Sequence, residues 1–262
     1  KGVEKALEKA EKVCSEAENK RIYFFGEIVH NKLVTDAFIG KGAVIIKSPQ
    51  EIKEPGIVVI RAHGISDKDR KKLLDSGNEI VDCTCPVVLK GQRLVRESDI
   101  PVIILGYKGH SEVYSLCGSS DSDVPVISSL SDLDEILPGR YRGVVQTTFS
   151  KPLLDKLIEK GRGKGIEIEL VNTICRASIV RRECVEELAE GVEAVVVVGA
   201  QHSANAKELV QTAIRKGCPA FLVENENSIP DEVFAYNIIG LTAGASTPES
   251  QYLKVKERLE IR

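Results

Sequence analysis

Apolar runs bounded by turn residues alternate along the whole chain with stretches of helical period. This is the pattern of buried strands joined by helices. The pattern also repeats. RIYFFGEIVHN, DIPVIILGYKGHSEV and EAVVVVGAQHSAN each read as a strand, a glycine and a polar cluster with one histidine. GAVIIKSPQEI, DVPVISSLSDL and CPAFLVENENSI each read as a short strand, a polar turn and an apolar residue. GIVVIRAHGIS, YRGVVQTTFS and YNIIGLTAGAST each read as a strand closing on small and polar residues. The order of these three kinds is kept in every third of the chain. Strands alternating with helices predict right-handed crossovers and parallel sheets. The expected fold is α/β, with three pseudo-threefold-related lobes over residues 1–84, 85–172 and 173–262, each built on a small, mostly parallel sheet.

Composition narrows the function. The chain has 262 residues, enough for a substantial core, and a net charge of −3, which gives no global basic field for nucleic acid. No apolar run reaches the ~18 residues of a membrane helix, and the charged first turns lack the apolar stretch of a signal peptide. A cytoplasmic location is expected. Seven cysteines, an odd number, point to thiols or metal ligands ahead of a disulfide framework.

Ligands of such sheets sit beyond the carboxyl ends of the strands. All four histidines, His30, His63, His110 and His202, fall at predicted strand ends. One histidine alone reads as a structural residue; four at equivalent ends read as a shared polar site. The cysteines follow the same spacing. Cys85 precedes His110 by 25 residues and Cys175 precedes His202 by 27. Counting back similarly from His30 reaches the start of the chain, so a third cysteine is expected just upstream of Lys1. In DCTCP the repeat does not choose between Cys83 and Cys85, but the strand-to-turn junction beside Pro86 favours Cys85. Cys14, Cys184, Cys117 and Cys218 read as small hydrophobes, the first two at spacings that suit the inner face of a helix.

The segments GEIVHN, RAHGIS, TCPVV, GHSEV, QTTFS, NTIC, HSAN and TAGAST, in this order, closely resemble the 4-hydroxy-3-methylbut-2-enyl diphosphate reductase (LytB/IspH) family, over the whole length. The resemblance implies a trefoil of three α/β lobes around a central [4Fe–4S] cluster with three cysteine ligands. Cys85 and Cys175 match two of them. The starting KGV matches the end of a Gly-Phe-Cys-x-Gly-Val motif, which puts the third immediately before Lys1. Three thiolates suit iron and leave one position open for substrate. The implied reaction is a reductive dehydroxylation giving isopentenyl and dimethylallyl diphosphate, the last step of the methylerythritol phosphate route of isoprenoid precursor synthesis. Reduced ferredoxin or flavodoxin is the implied electron donor.

On this reading Glu112 is the proton donor, because hydroxide leaves carbon poorly unless it is protonated. His110 relays protons to Glu112 or hydrogen-bonds the substrate. Thr147 or Thr148 offers a hydroxyl, and the family motif favours Thr147. His30, His63, Ser203, Asn205 and Ser246 supply diphosphate donors, together with backbone N–H groups of Gly244 and Ala245. Histidine donors predict affinity that weakens as pH rises through ~6.5. Two residues depart from the family pattern. Ala204 removes a hydroxyl, and Arg182 adds a charge that either compensates or faces solvent. Two other readings compete. One is a non-catalytic iron–sulfur and diphosphate-binding sensor. The other is a zinc hydrolase, which lacks the HExxH or CxxC spacing it needs.

Overall fold

The computed structural model describes residues 2–17, 20–29, 31–171 and 173–261. Among these, three separate sheets form, and every strand pairing within them is parallel. The first has the order β2-β1-β3-β4, from β1 (Ile22–Phe25), β2 (Val44–Ile46), β3 (Ile57–Ile60) and β4 (Glu79–Asp82). The second is β6-β5-β7-β8, from β5 (Val102–Leu105), β6 (Val126–Ile127), β7 (Gly139–Val145) and β8 (Ile166–Val171). The third is β10-β9-β11, from β9 (Ala194–Val198), β10 (Ala220–Val223) and β11 (Ile239–Ala243). The first strand of each third is central, with the second on one side and the third on the other. The sequence repeat is therefore a repeat of topology.

The central strands IYFF and AVVVV are buried along their whole length. This is why they read as continuous apolar runs and not as alternating ones. Their large side chains each contribute ~1.5–3 kcal/mol on burial. Helices cover the sheets with apolar stripes. On α8 (Ala204–Arg215), Ala206, Leu209 and Ala213 face the core beside Val195 and Val197. On α6 (Lys151–Gly163), Leu154 and Leu157 are buried.

The chain divides into two compact units. The first comprises Lys1–Val29 and Thr35–Ile174; the second comprises His30–Val34 and Cys175–Arg262. Within the first unit, the loop after β3 is tied to α4 (Pro86–Arg96) and α5 (Ser111–Cys117). Gln92 Nε2 donates to the Ile65 carbonyl at 2.9 Å. The buried Ser115 hydroxyl lies 2.6 Å from the His63 carbonyl and 2.9 Å from that of Glu112. Within the second unit, Asn31 Nδ2 donates to Gln251 Oε1 of α9 (Glu249–Glu260) at 2.9 Å.

Candidate functional site

The two favoured cysteines hold the same local position. Cys85 is the residue before α4, with Pro86 at its first turn, and Cys175 is the residue before α7 (Arg176–Glu190). Both are partly exposed. The turn at Cys85 is built by Asp82, whose Oδ1 accepts from the Thr84 N–H at 2.8 Å and from the Thr84 hydroxyl. Cys85 N–H donates to the Ala62 carbonyl at 2.9 Å. Cys83, two residues earlier, is only 4% exposed, and burial pushes its thiol up to about 11. A thiol held that firmly in its neutral form is a poor metal ligand. The beginning of α1 (Gly2–Glu16) lies against Cys85: a Cβ on Gly2 would fall 2.8 Å from its Sγ. Gly2 leaves the space beside this sulfur free of a side chain, and soft thiolate sulfur is the donor type an iron–sulfur group takes. Among the described residues, no three His, Cys, Asp or Glu side chains gather into a closed metal site.

Of the remaining thiols, Cys218 is buried with Val185 and Leu209, while Cys14 and Cys117 are half-buried. Cys184 is exposed. Its expected inner-face position is wrong, because the buried stripe of α7 runs through Ser178, Arg182, Val185 and Ala189.

Glu112 lies in the first turn of α5 and is 2% exposed. Its Oε1 accepts from the Thr147 backbone N–H at 2.7 Å, and its Oε2 from the Thr147 hydroxyl at 2.6 Å. Burial raises its pKa to about 7, while the two Thr147 bonds act in the opposite direction. Desolvation wins, so the carboxyl holds its proton to near neutrality. Thr148 is engaged differently: its hydroxyl accepts from Gln146 Nε2 at 2.8 Å.

His110 caps α5, its Nδ1 accepting from the Glu112 N–H at 3.1 Å. The neutral ring therefore carries its proton on Nε2. Burial, then the charge of Arg61, pushes the His110 pKa down to about 4. This geometry favours the hydrogen-bonding alternative over a relay through Nδ1. It also removes His110 from the expected pH dependence, since the ring is neutral well below pH 6. The His63 ring meets it edge-on, with centroids 5.4 Å apart.

In the second unit, Ser203 precedes α8 and its Oγ accepts from the Ala206 N–H at 3.3 Å. Asn205 Oδ1 accepts from the Ala245 N–H at 3.0 Å. The Gly244 N–H donates to the Val198 carbonyl at 2.8 Å. Both backbone donors expected for phosphate are thus spent inside the fold, which corrects that expectation. Ser203 and Asn205 are themselves buried, and Ser246 is half-buried beside Ala245. Arg182 does not face solvent; its side chain is 8% exposed. His30 lies outside the described residues.

In each unit, polar side chains thus stand beyond the carboxyl ends of parallel strands, where α/β proteins place their chemistry. The LytB protein family matches residues 1–260, and this chain belongs to it. It is 33% identical to the 4-hydroxy-3-methylbut-2-enyl diphosphate reductase of Treponema denticola, over 98% of this chain and 94% of that protein. It is 34% identical to the protein of the same name from Solidesulfovibrio magneticus, over 99% and 95%. Among solved structures, the E-1-hydroxy-2-methyl-but-2-enyl-4-diphosphate reductase of Plasmodium falciparum superposes with a TM-score of 0.91 at 27% identity, covering 98% of this chain and 83% of that one. A structure described as (E)-4-hydroxy-3-methyl-but-2-enyl diphosphate reductase, the terminal enzyme of the non-mevalonate pathway, gives 0.69 at 28% identity, covering 99% and 94%.

Sequence reasoning missed Arg61, whose charge acts on His110. Its signal was its place in RAHGIS, two residues before a strand-end histidine.

Proposed function

We propose that this chain is a 4-hydroxy-3-methylbut-2-enyl diphosphate reductase. It takes two electrons and two protons, releases the C4 hydroxyl as water, and forms isopentenyl or dimethylallyl diphosphate. The observation that carries the chemistry is the Glu112 carboxyl, buried and gripped by Thr147 at 2.6 and 2.7 Å. An acid that keeps its proton to about pH 7 is suited to protonating a leaving hydroxyl. The names of the relatives supply the substrate. The sensor alternative gains no observation, since the acid and its positioning hydroxyl are both in place.

Cys85 and Cys175 would hold a [4Fe–4S] cluster, with the third cysteine expected immediately before Lys1. When bound, such a cluster supplies the electrons and one open Lewis-acid position. Glu112 delivers the proton, and Thr147 fixes both carboxyl oxygens. His110 donates from Nε2 as a neutral group. His30, His63, Ser203, Asn205 and Ser246 supply the remaining donors to the diphosphate. Reduced ferredoxin or flavodoxin provides electrons in a cytoplasmic setting. No helix among the described residues is long and apolar enough to cross a membrane.

The test is anaerobic. Protein extended upstream of Lys1 is assayed for iron, sulfide and conversion of the substrate after chemical reduction. Iron-loaded protein that forms the two product diphosphates is the expected result, with Cys85→Ser and Cys175→Ser losing iron and Cys184→Ser retaining it. Iron-loaded, reduced protein that leaves the substrate unchanged would overturn the assignment.

A further inference from the structure

Arg61 begins a turn after β3 that is closed by the Gly64 N–H donating to the Arg61 carbonyl at 3.0 Å. Its side chain runs back over the end of β1. There Gly26 has a φ of +73°, and a Cβ on it would fall 2.4 Å from Nη1 and 3.1 Å from Cζ. Only glycine meets both demands, so the guanidinium sits in a seat made by a missing side chain. Arg61 Nε is buried with no hydrogen-bond partner in the structure. Such a group is expensive to keep unless its charge is used.

The groups around it form one cluster. Burial lowers the Arg61 pKa, opposed by Glu27 and Tyr114, but an arginine stays charged throughout the working range. Tyr114 Oη donates to Asp69 at 3.0 Å. His110 is faced by Arg61, by the His63 ring, by the Tyr107 carbonyl that accepts its backbone N–H, and by Glu112. Within this group, Arg61 carries the permanent positive charge.

We infer that Arg61 is the fixed cation of the first unit's phosphate-binding end, supplying charge for the diphosphate while His110 serves as a neutral donor. Gly26 is the residue that seats it. This rests on the proposed function for the identity of the anion. It gives the site its cation without a lysine and without a charged histidine. Arg61 is a positioning residue: it acts through the field it places on His110 and on the bound anion.

The test uses full-length, iron-loaded protein and inorganic diphosphate, titrated calorimetrically at pH 7.5. Arg61→Gln should weaken binding about tenfold, and Arg61→Lys should stay within about threefold of the parent because the charge is kept. Gly26→Ala, which pushes the guanidinium from its seat, should fall between them. In turnover, Arg61→Gln should raise KM for the substrate by a similar factor and leave kcat within about threefold. Unchanged diphosphate affinity in Arg61→Gln would overturn the inference. So would equal losses in the Gln and Lys variants, which mark a shape role and not a charge. Diphosphate binding that follows the expected order in a protein unable to reduce the substrate would sustain this inference and sink the proposed function.

Discussion

Two strand ends in this molecule are built by the same device and filled with different chemistry. In the first unit, a side chain from the opening turn of α5 accepts the backbone N–H from the end of β7, Glu112 taking Thr147 at 2.7 Å. In the second, a side chain from the opening turn of α8 accepts the backbone N–H from the end of β11, Asn205 taking Ala245 at 3.0 Å. Both bonds pin a helix start to the outgoing third strand of its sheet. Each accepting residue is the second residue of its helix, although Glu112 follows His110 by two residues and Asn205 follows His202 by three. The carboxyl can carry a proton and the amide cannot. One framework thus gives a titratable end in the first unit and an uncharged hydrogen-bonding end in the second; on the proposed function the first donates a proton and the second meets an anion.

The largest effect that would sharpen this contrast is on stability. Burial lifts Glu112 from 4.5 to about 7, so its contribution is present at low pH and is lost as pH rises through about 7. His110 is moved the other way, from 6.5 to about 4, so its contribution is lost as pH falls through about 4. Each is worth roughly 3 kcal/mol, and over the shared window the two slopes oppose each other. Glu112→Gln should therefore leave a protein whose urea midpoint rises with pH between about 4 and 6.5. His110→Gln should leave one whose midpoint falls between about 4.5 and 7. Parallel midpoint curves for parent and both variants would mean that neither group is desolvated as described.

A smaller effect is expected at Thr147. Thr147→Val removes the hydroxyl bond that favours the carboxylate, so Glu112 should hold its proton to still higher pH. The basic limb of the kcat profile should move upward, while kcat itself drops about tenfold or more from lost positioning. Thr147→Ser keeps the hydroxyl and should keep the profile. A limb that does not move in the valine variant separates Thr147 from the acid.

The smallest effect makes the second unit resemble the first. Asn205→Asp keeps an acceptor for the Ala245 N–H but adds a negative charge, so KM for the diphosphate should rise about tenfold with little change in kcat. An unchanged KM would show that this end does not meet the anion.

Much of this was readable from the chain. The repeat of three strand kinds gave the parallel sheets, because a buried parallel strand leaves a short, wholly apolar signature; the order of strands within each sheet did not follow from it. Cys85 was separable from Cys83 because it alone stands beside Pro86 at the junction before a helix. Pairings were less accessible. Glu112 and Thr147 lie 35 residues apart, and Asn205 and Ala245 lie 40 apart. Periodicity tells which face a residue takes, not which distant backbone group it meets. For the same reason the Ala245 and Gly244 N–H groups read as available when they are in use. Charged residues misled in the opposite sense. Arg182 and Arg61 look solvent-bound by type, yet one is buried in a helix stripe and the other lies in a seat that only the conformation of Gly26 reveals.

The central claim is that Glu112 is a protonated acid serving a reduction, and the pH dependence of single-turnover rates tests it most directly. Chemically reduced, iron-loaded parent protein should convert the substrate at a rate that declines above about pH 7. Glu112→Gln, with its iron content intact, should be slower by about a hundredfold or more and show no such decline. A glutamine variant turning over within a few-fold of the parent, with the same basic limb, would contradict it.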